Sequence, residues 1–413
     1  MVLLATSVFA EAVVEEEVTE ITILCAQQTY EASEHFRAIV DRFHLTYPDV
    51  VVRALPLDLS TVSTMSMDAL DMAGTAPNVY WDYTGRVGKY MLPGYALPLD
   101  DYIADLDKFY PGVLDQFRRG GVLYGMPDPG EANGMVINLK MMDEIGYTVP
   151  DNWTVDDFLE MCELVKQFYG GEKFGTFMYA ATMSGDYQIN TWWGAFGAHL
   201  YASGDYSRTT IRETGGAKVH EFYQTLVRNG YIQAGAASRS DGETFALWGG
   251  GMFAAVPFFP SWVEPYRKIG LEQGVEEFPV VFVEFPSATG EPVEAYATGS
   301  SAIVIETGTA ADAIAAHLVE SITSVEAQAV ATRLGGLPAN RSDATVQSDN
   351  VFFAQTGAIA AANGLQDVGF TTELYSAVRA QHYPILARVL NLELTPEESI
   401  ALYEEAVNEV LSY

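Results

Sequence analysis

The residues of this 413-residue chain that could do chemistry are plentiful, but they do not stand at the spacings most chemistry needs. A phosphate cradle needs GxxxxGK[ST], a dinucleotide site GxGxxG after a strand, a serine-hydrolase elbow GxSxG and a zinc protease HExxH; none of these occurs. The nearest is Gly249-Gly250-Gly251, which lacks the following Lys and Ser and reads as a backbone turn. The six histidines, at 35, 44, 199, 220, 317 and 382, never fall at metal-ligand spacing from one another. The two cysteines, Cys25 in an apolar strand and Cys162 in a helix, are too few for a thiolate site or a disulfide framework and read as buried thiols. No metal and no cofactor is expected. What remains is 55 Asp and Glu, any two of which could meet as the carboxylate pair of a glycosidase. So acidic a chain could also serve as a receptor for a polyamine or a metal ion such as ferric iron.

Composition narrows these choices. A net charge of −33, from 22 basic against 55 acidic residues, repels phosphate backbones and anionic lipid surfaces, so nucleic acid is not an expected partner. Single cores stop growing at roughly 250–300 residues, so this length predicts two domains. Met1 to Ala12 (MVLLATSVFAEA) pairs an apolar run with small residues at Val8, Ala10 and Ala12, the pattern of a signal-peptide core and cleavage site. The basic leading segment is missing, so the natural start is expected upstream of Met1. Leu24 stands where a lipid-modified cysteine would need a small residue before it. No later run reaches the ~18 apolar residues of a membrane span. Together these predict an exported, soluble protein, periplasmic or extracellular, that is not a lipoprotein.

The elements that must position any site begin at residue 21. Ile21–Ala26, a helix over Ser33–Thr46, Val50–Leu57, a helix near Ser60–Ala73 and Asn78–Trp81 alternate as βαβ units do, which predicts a largely parallel sheet. A strand at Val122–Met126 leads into Pro127-Asp128-Pro129-Gly130, the strongest turn cluster in the chain and the expected first crossing between lobes. Met135–Asn138 reads as a strand, and Thr154-Val155-Asp156-Asp157 caps a helix. Pro279–Phe285 and Tyr296–Ile305 read as strands, Ala310–Leu334 as one helix stopping at Gly335-Gly336-Leu337-Pro338, and Thr371–Ser412 as helical.

In this order the segments resemble the extracellular solute-binding proteins that include the maltose-binding protein of bacterial importers. The resemblance runs over about residues 20 to 410. ITILCAQQTYEASEHFRAIVDRFHLTYPDVVV is similar to that family's opening strand, ligand loop, helix and "YPD" turn. ALPLDDYI resembles its "PLD" turn, LYGMPDPGEANGMVINLKMMDEIGY its crossover strand, and VPDNWTVDDFLEMCELV its "P-x-T-W-x-E-F" helix. LWGGGMFAAVPFFPSWV is similar to its "G-x-A-M … G-x-W" strand and turn, and YATGSSAIVI with GGLPANRS to its return crossover. Asn138-Leu139-Lys140 departs from the family in lacking a tyrosine before the asparagine. The resemblance implies an α/β, two-lobed periplasmic-binding-protein fold with crossing hinge strands. The boundaries it implies are 20–128 plus 297–345 for one lobe and 129–296 plus 346–413 for the other. It further implies a monomer that closes over a small molecule and hands it, unaltered, to the membrane permease subunits of an ABC importer.

A sugar or polyol ligand needs flat aromatic faces against the apolar side of its ring and carboxylates, amides or carbonyls for its hydroxyls. By resemblance, the loop after the first strand offers Gln28, Tyr30 and Glu31, and the end of the next ligand-facing strand Trp81, Asp82 and Tyr83. Strand alternation keeps Trp81 and Asp82 from pointing the same way, and Asp82 is the preferred hydroxyl acceptor. Glu131, seven residues before Asn138, stands at the family's crossover acid. Tyr187 and Trp193 are the candidates within DYQINTWWGAFG, where adjacent helical positions keep Trp192 and Trp193 from both facing a cleft. Trp262 occupies the place of a stacking tryptophan, expected on a turn, and Tyr375 that of a further aromatic wall. Trp262 leads this set. Carbohydrate-active enzyme and polyol, polyamine or metal-ion receptor remain the alternatives.

Overall fold

A computed structural model describes residues 18–25, 33–56, 65–110, 113–182, 186–202, 204–335, 340–344 and 348–412. Residues 1–12, Gln28, Tyr30 and Glu31 lie outside it, and of Tyr187 only the backbone is described.

The first lobe is built on a five-stranded sheet that contains the three strands expected in the opening segments. β1 (Glu20–Cys25) pairs in parallel with β2 (Val51–Pro56) and β3 (Val79–Tyr83). Between β1 and β2, the helix Glu34–His44 starts where Ser33 Oγ accepts from the Phe36 amide at 3.0 Å, one of the amides a helix start leaves without an internal partner. Phe36, Ile39 and Phe43 recur on one face of that helix and are buried, as a helix packed on a sheet requires.

The expected strand at Val122–Met126 is interrupted. A small hairpin of β4 (Arg118–Arg119) and β5 (Val122–Leu123) is followed by β6 (Met126–Pro127). The chain then passes through β7 (Glu131–Ala132) into β8 (Gly134–Asn138) of the second lobe. β8 is flanked by β9 (Ala255–Phe258) and β10 (Val280–Val283), and both pairings are antiparallel. The largely parallel sheet expected from the opening segments is thus parallel at β1, β2 and β3, while the later strands pair antiparallel. The reason is physical: β8 and β9 are buried along their whole length, and a strand buried on both faces carries no mark of its direction.

The return crossing is split. Gly299 divides the strand expected at Tyr296–Ile305 into β11 (Ala297–Thr298), which pairs with β7, and β12 (Ser300–Val304), which joins the first sheet between β3 and β6. The first sheet thus runs β2-β1-β3-β12-β6. The two crossing strands approach so closely that a Cβ on Gly130 would stand 1.8 Å from the Thr298 carbonyl oxygen, so only glycine fits there. Two separate cores result. One gathers Ile21, Ile23, Val79, Trp81, Ile303 and Val319, the other Met135, Ile137, Phe158, Trp192, Phe258 and Val407.

Candidate functional site

β1, β2 and β3 end at one edge of the first sheet, where β12 begins and β6 ends. Both crossings leave from that edge, so it faces the second lobe; β2 and β1 stand at one end of it and β6 at the other. The carboxyl ends of parallel strands are where α/β folds present their ligand groups.

On the crossing strand β7, Glu131 reaches into the second lobe. Its carboxylate accepts from the Ser261 amide at 3.1 Å and from Ser261 Oγ at 2.6 Å. Ser261 lies in the first turn of the helix Pro260–Glu272, whose N-cap residue Phe259 supplies no side-chain cap. Glu131 therefore does that work from another part of the chain, and its negative charge suits the positive end of the helix. The two Ser261 bonds favour the carboxylate; burial disfavours it and prevails, pushing the carboxyl up to about 7. Trp262 follows immediately, within the helix rather than on the turn expected for it, because Pro260 already stands at a first helical position. Its ring packs against Phe245 at 5.0 Å and Phe259 at 5.7 Å and keeps part of its surface exposed. It joins the second-lobe core to a cluster of Tyr83, Phe259, Tyr296, Val368 and Tyr375 between the lobes.

That cluster has a polar centre. The Tyr375 hydroxyl lies 2.9 Å from the Tyr83 hydroxyl and 3.0 Å from that of Tyr296. Tyr83 comes from the end of β3, Tyr296 from the return crossing and Tyr375 from the helix Tyr375–Ala380. All three rings are buried within this cluster.

Two expected contacts are otherwise employed. Asp82 is not a free hydroxyl acceptor. Arg86 Nε donates to its Oδ2 at 2.6 Å and Arg86 Nη2 to its Oδ1 at 2.7 Å; the Tyr80 hydroxyl and the Tyr83 amide donate to the same two oxygens. With a side chain only 1% exposed, this carboxylate is consumed in holding the end of β3. Trp193 is a core residue. It packs against His220, His382 and Tyr403 while its neighbour Trp192 packs on Phe158 and Phe222, so a hydrophobic helix here buries both tryptophans. Trp81 is buried edge-on to His35.

At the β6 end of the edge lies a cavity of about 1030 Å³, walled by Arg119, Asp128 and Asn340 on one side and Tyr206, Phe370 and Glu373 on the other. Asp128 lies 3.5 Å from His35 Nε2; burial raises its carboxyl far above the ordinary value and lowers the His35 ring to about 4. Among the described residues, no group of three or more His, Cys, Asp and Glu side chains could hold a metal. Ser261, Tyr296 and Asp128 escaped the sequence reading. Asp128, inside the turn cluster, and Tyr296, at the start of the return crossover, stood in segments already marked as crossings.

The fold has solved counterparts. The chain superposes on the GacH receptor of Streptomyces glaucescens, whose structures include complexes with acarbose, with a TM-score of 0.76 at 17% identity, over 96% of this chain and 99% of that one. It superposes equally on a cyclic α-maltosyl-1,6-maltose binding protein from Arthrobacter globiformis, TM-score 0.76 at 18% identity, again over 96% and 99%. A maltotriose-binding protein of Pyrococcus abyssi is 26% identical over 145 residues, 34% of this chain and 29% of that protein's length. The likeness to the solved structures establishes the two-lobed fold. The family model for bacterial extracellular solute-binding proteins matches residues 38–361, more than half of the chain, and to that family the chain belongs.

Proposed function

We propose that this protein captures an oligosaccharide or a related polyhydroxyl solute between its lobes and delivers it to the permease subunits of an ABC importer. The observation that carries this reading is the placement of Glu131 and Trp262. A hinge carboxylate and a partly exposed indole meet at one helix start between the lobes, which is the pairing of acceptor and apolar face that a sugar ring demands. Family membership, and relatives whose ligands are acarbose, a cyclic maltosyl-maltose and maltotriose, support the same class. Glu131 and Trp262 contact the ligand, with Gln28, Tyr30 and Tyr187 as its further contacts; Tyr83 and Tyr375 back the wall. The lobes comprise 20–128 plus 297–345 and 129–296 plus 346–413. Ligand that touches both lobes only when they are closed supplies the free energy of closure.

The protein works as an exported monomer, with residues 1–12 belonging to its signal segment, and returns its ligand unaltered. No helix among the described residues is long and apolar enough to cross a membrane. A thermal-shift screen across maltotriose, other sugars, polyols and polyamines identifies the class, since a ligand at a hundred times its Kd adds about 2.7 kcal/mol of stability. Trp262→Ala should then weaken binding by about 1–3 kcal/mol, or roughly ten- to a hundredfold, by titration calorimetry. Undiminished affinity would remove Trp262 from the site, and release of a shorter sugar on incubation would make the protein an enzyme.

A further inference from the structure

Between Gly369 and Val378 the chain leaves the second lobe, lies on the first and returns. Gly369 makes the exit turn with φ +70°, where a Cβ would press within 3.0 Å of Tyr201. Val378 is back inside the second-lobe core. What the intervening strap, Phe370 to Ser376, rests on is a pair of first-lobe glycines three residues apart, Gly85 and Gly88. A Cβ at Gly85 would lie 2.4 Å from Tyr375 Cε1, and one at Gly88 would lie 2.9 Å from the Thr371 carbonyl oxygen. The strap is thus in contact with first-lobe backbone, with no side chain between them.

Polar contacts pin the strap along its length. Arg119 Nη2 donates to the Thr371 carbonyl, Ser376 Oγ donates to the Gly85 carbonyl at 3.3 Å, and the Tyr375 hydroxyl sits between those of Tyr83 and Tyr296. Tyr83 comes from the first lobe, Tyr375 from the second and Tyr296 from the residue just before the return crossing strand, so the hydroxyl junction ties the two lobes at one relative placement.

We infer that this strap is a brace favouring the one placement of the lobes at which the tyrosine junction forms, and that Gly85 and Gly88 are its positioning residues, setting Tyr375 within the cluster that Trp262 packs against. The consequence for affinity rests on the binding reading above; the consequence for lobe geometry does not. Any bulk at Gly85 must push the strap off the first lobe, because the atoms in the way belong to two buried rings held by the hydroxyl junction.

The test places spin labels on cysteines introduced at Asp41 and Glu160, exposed positions on helices of the first and second lobes; both native thiols are buried. Distances are measured by pulsed electron resonance without sugar and with maltotriose. Gly85→Ala should lengthen and broaden the separation without sugar and lower maltotriose affinity about tenfold, within the range of ordinary site-to-site coupling. Tyr83→Phe combined with Arg119→Ala adds no bulk and should broaden the same distribution, which keeps the inference decidable if Gly85→Ala fails to fold. Folded variants with the parent's separation, even with a lowered Tm, would overturn the brace and leave these residues a merely structural part. If the parent protein binds no sugar, the binding reading fails, while the distances measured without sugar still decide the brace.

Discussion

In the proposed site, the one carboxyl of Glu131 would serve both the hinge and the ligand. Its ordinary value of 4.5 is raised to about 7 by burial against the pull of Ser261. Roughly a tenth of the molecules carry the carboxylate at pH 6 and about nine-tenths at pH 8. Sugar hydroxyls are donors, and the carboxylate is the stronger acceptor, so affinity should rise across that interval in the parent and stay flat in Glu131→Gln. Calorimetry at pH 6, 7 and 8 checks it, and a flat parent profile would take Glu131 out of ligand contact. Asp82 makes the opposite case. Its removal takes from the Arg86 guanidinium and the buried Tyr80 hydroxyl the carboxylate they share, so Asp82→Ala should cost about 3 kcal/mol of stability, the lower end of the range for breaking a buried pair because Arg86 keeps some water. An unchanged urea midpoint would contradict that role. Neither fate was readable beforehand: the two acids look alike in the chain, and only the arrival of Arg86 one helical turn later and of Ser261 from 130 residues away distinguishes them.

Elements with local causes were legible and those with distant causes were not. The helix Val155–Tyr169 begins where its cap announces it: Thr154 and Asp157 bond reciprocally, the Thr154 side chain accepting from the Asp157 amide at 3.1 Å and Asp157 from the Thr154 amide at 2.7 Å. Thr154→Ala should therefore cost about 1 kcal/mol, seen as a lowered midpoint in chemical denaturation; a midpoint at the parent's value would mean that tertiary packing alone holds this end. The single helix expected over Ala310–Leu334 is instead two, Ala311–Ile322 and Val325–Gly335. Ser324 Oγ accepts from the Ala327 amide at 3.3 Å and donates to the Ser321 carbonyl at 2.8 Å, so a serine inside an Ala-rich run ends one helix and starts the next. The split of Tyr296–Ile305 at Gly299 has a tertiary cause, since its two halves pair with different partners.

At the scale of the molecule, the second lobe carries a pH liability in its core. His220 and His382 stack 5.8 Å apart, enclosed with Trp193 and Tyr403. Burial lowers the His220 ring to about 3 and the His382 ring well below 6.5. The folded pair stays neutral while the unfolded chain takes up protons below about 6.5. The stability present above that pH is thus lost progressively as pH falls toward 3. Tm should drop between pH 7 and pH 5, and by less in a His220→Gln, His382→Gln variant; equal drops would show the pair to be a bystander. The −33 charge of the whole chain, by contrast, bears on partners and solubility more than on the fold.

The sequence by itself determined the order of elements, the presence of two lobes, the turn cluster where the chain first crosses and the absence of familiar enzyme motifs. These depend on periodicity, caps and turn residues, which act over a few positions. The tertiary structure alone decided that the second sheet is antiparallel, that Trp193 is core and Asp82 an ion-pair partner, that Glu131 on the crossing strand caps a helix of the second lobe, and that Tyr83, Tyr296 and Tyr375 share one junction. Each of these depends on which distant groups arrive at the same place, and a buried strand, an acid or an aromatic ring carries no local mark of the partner it will meet.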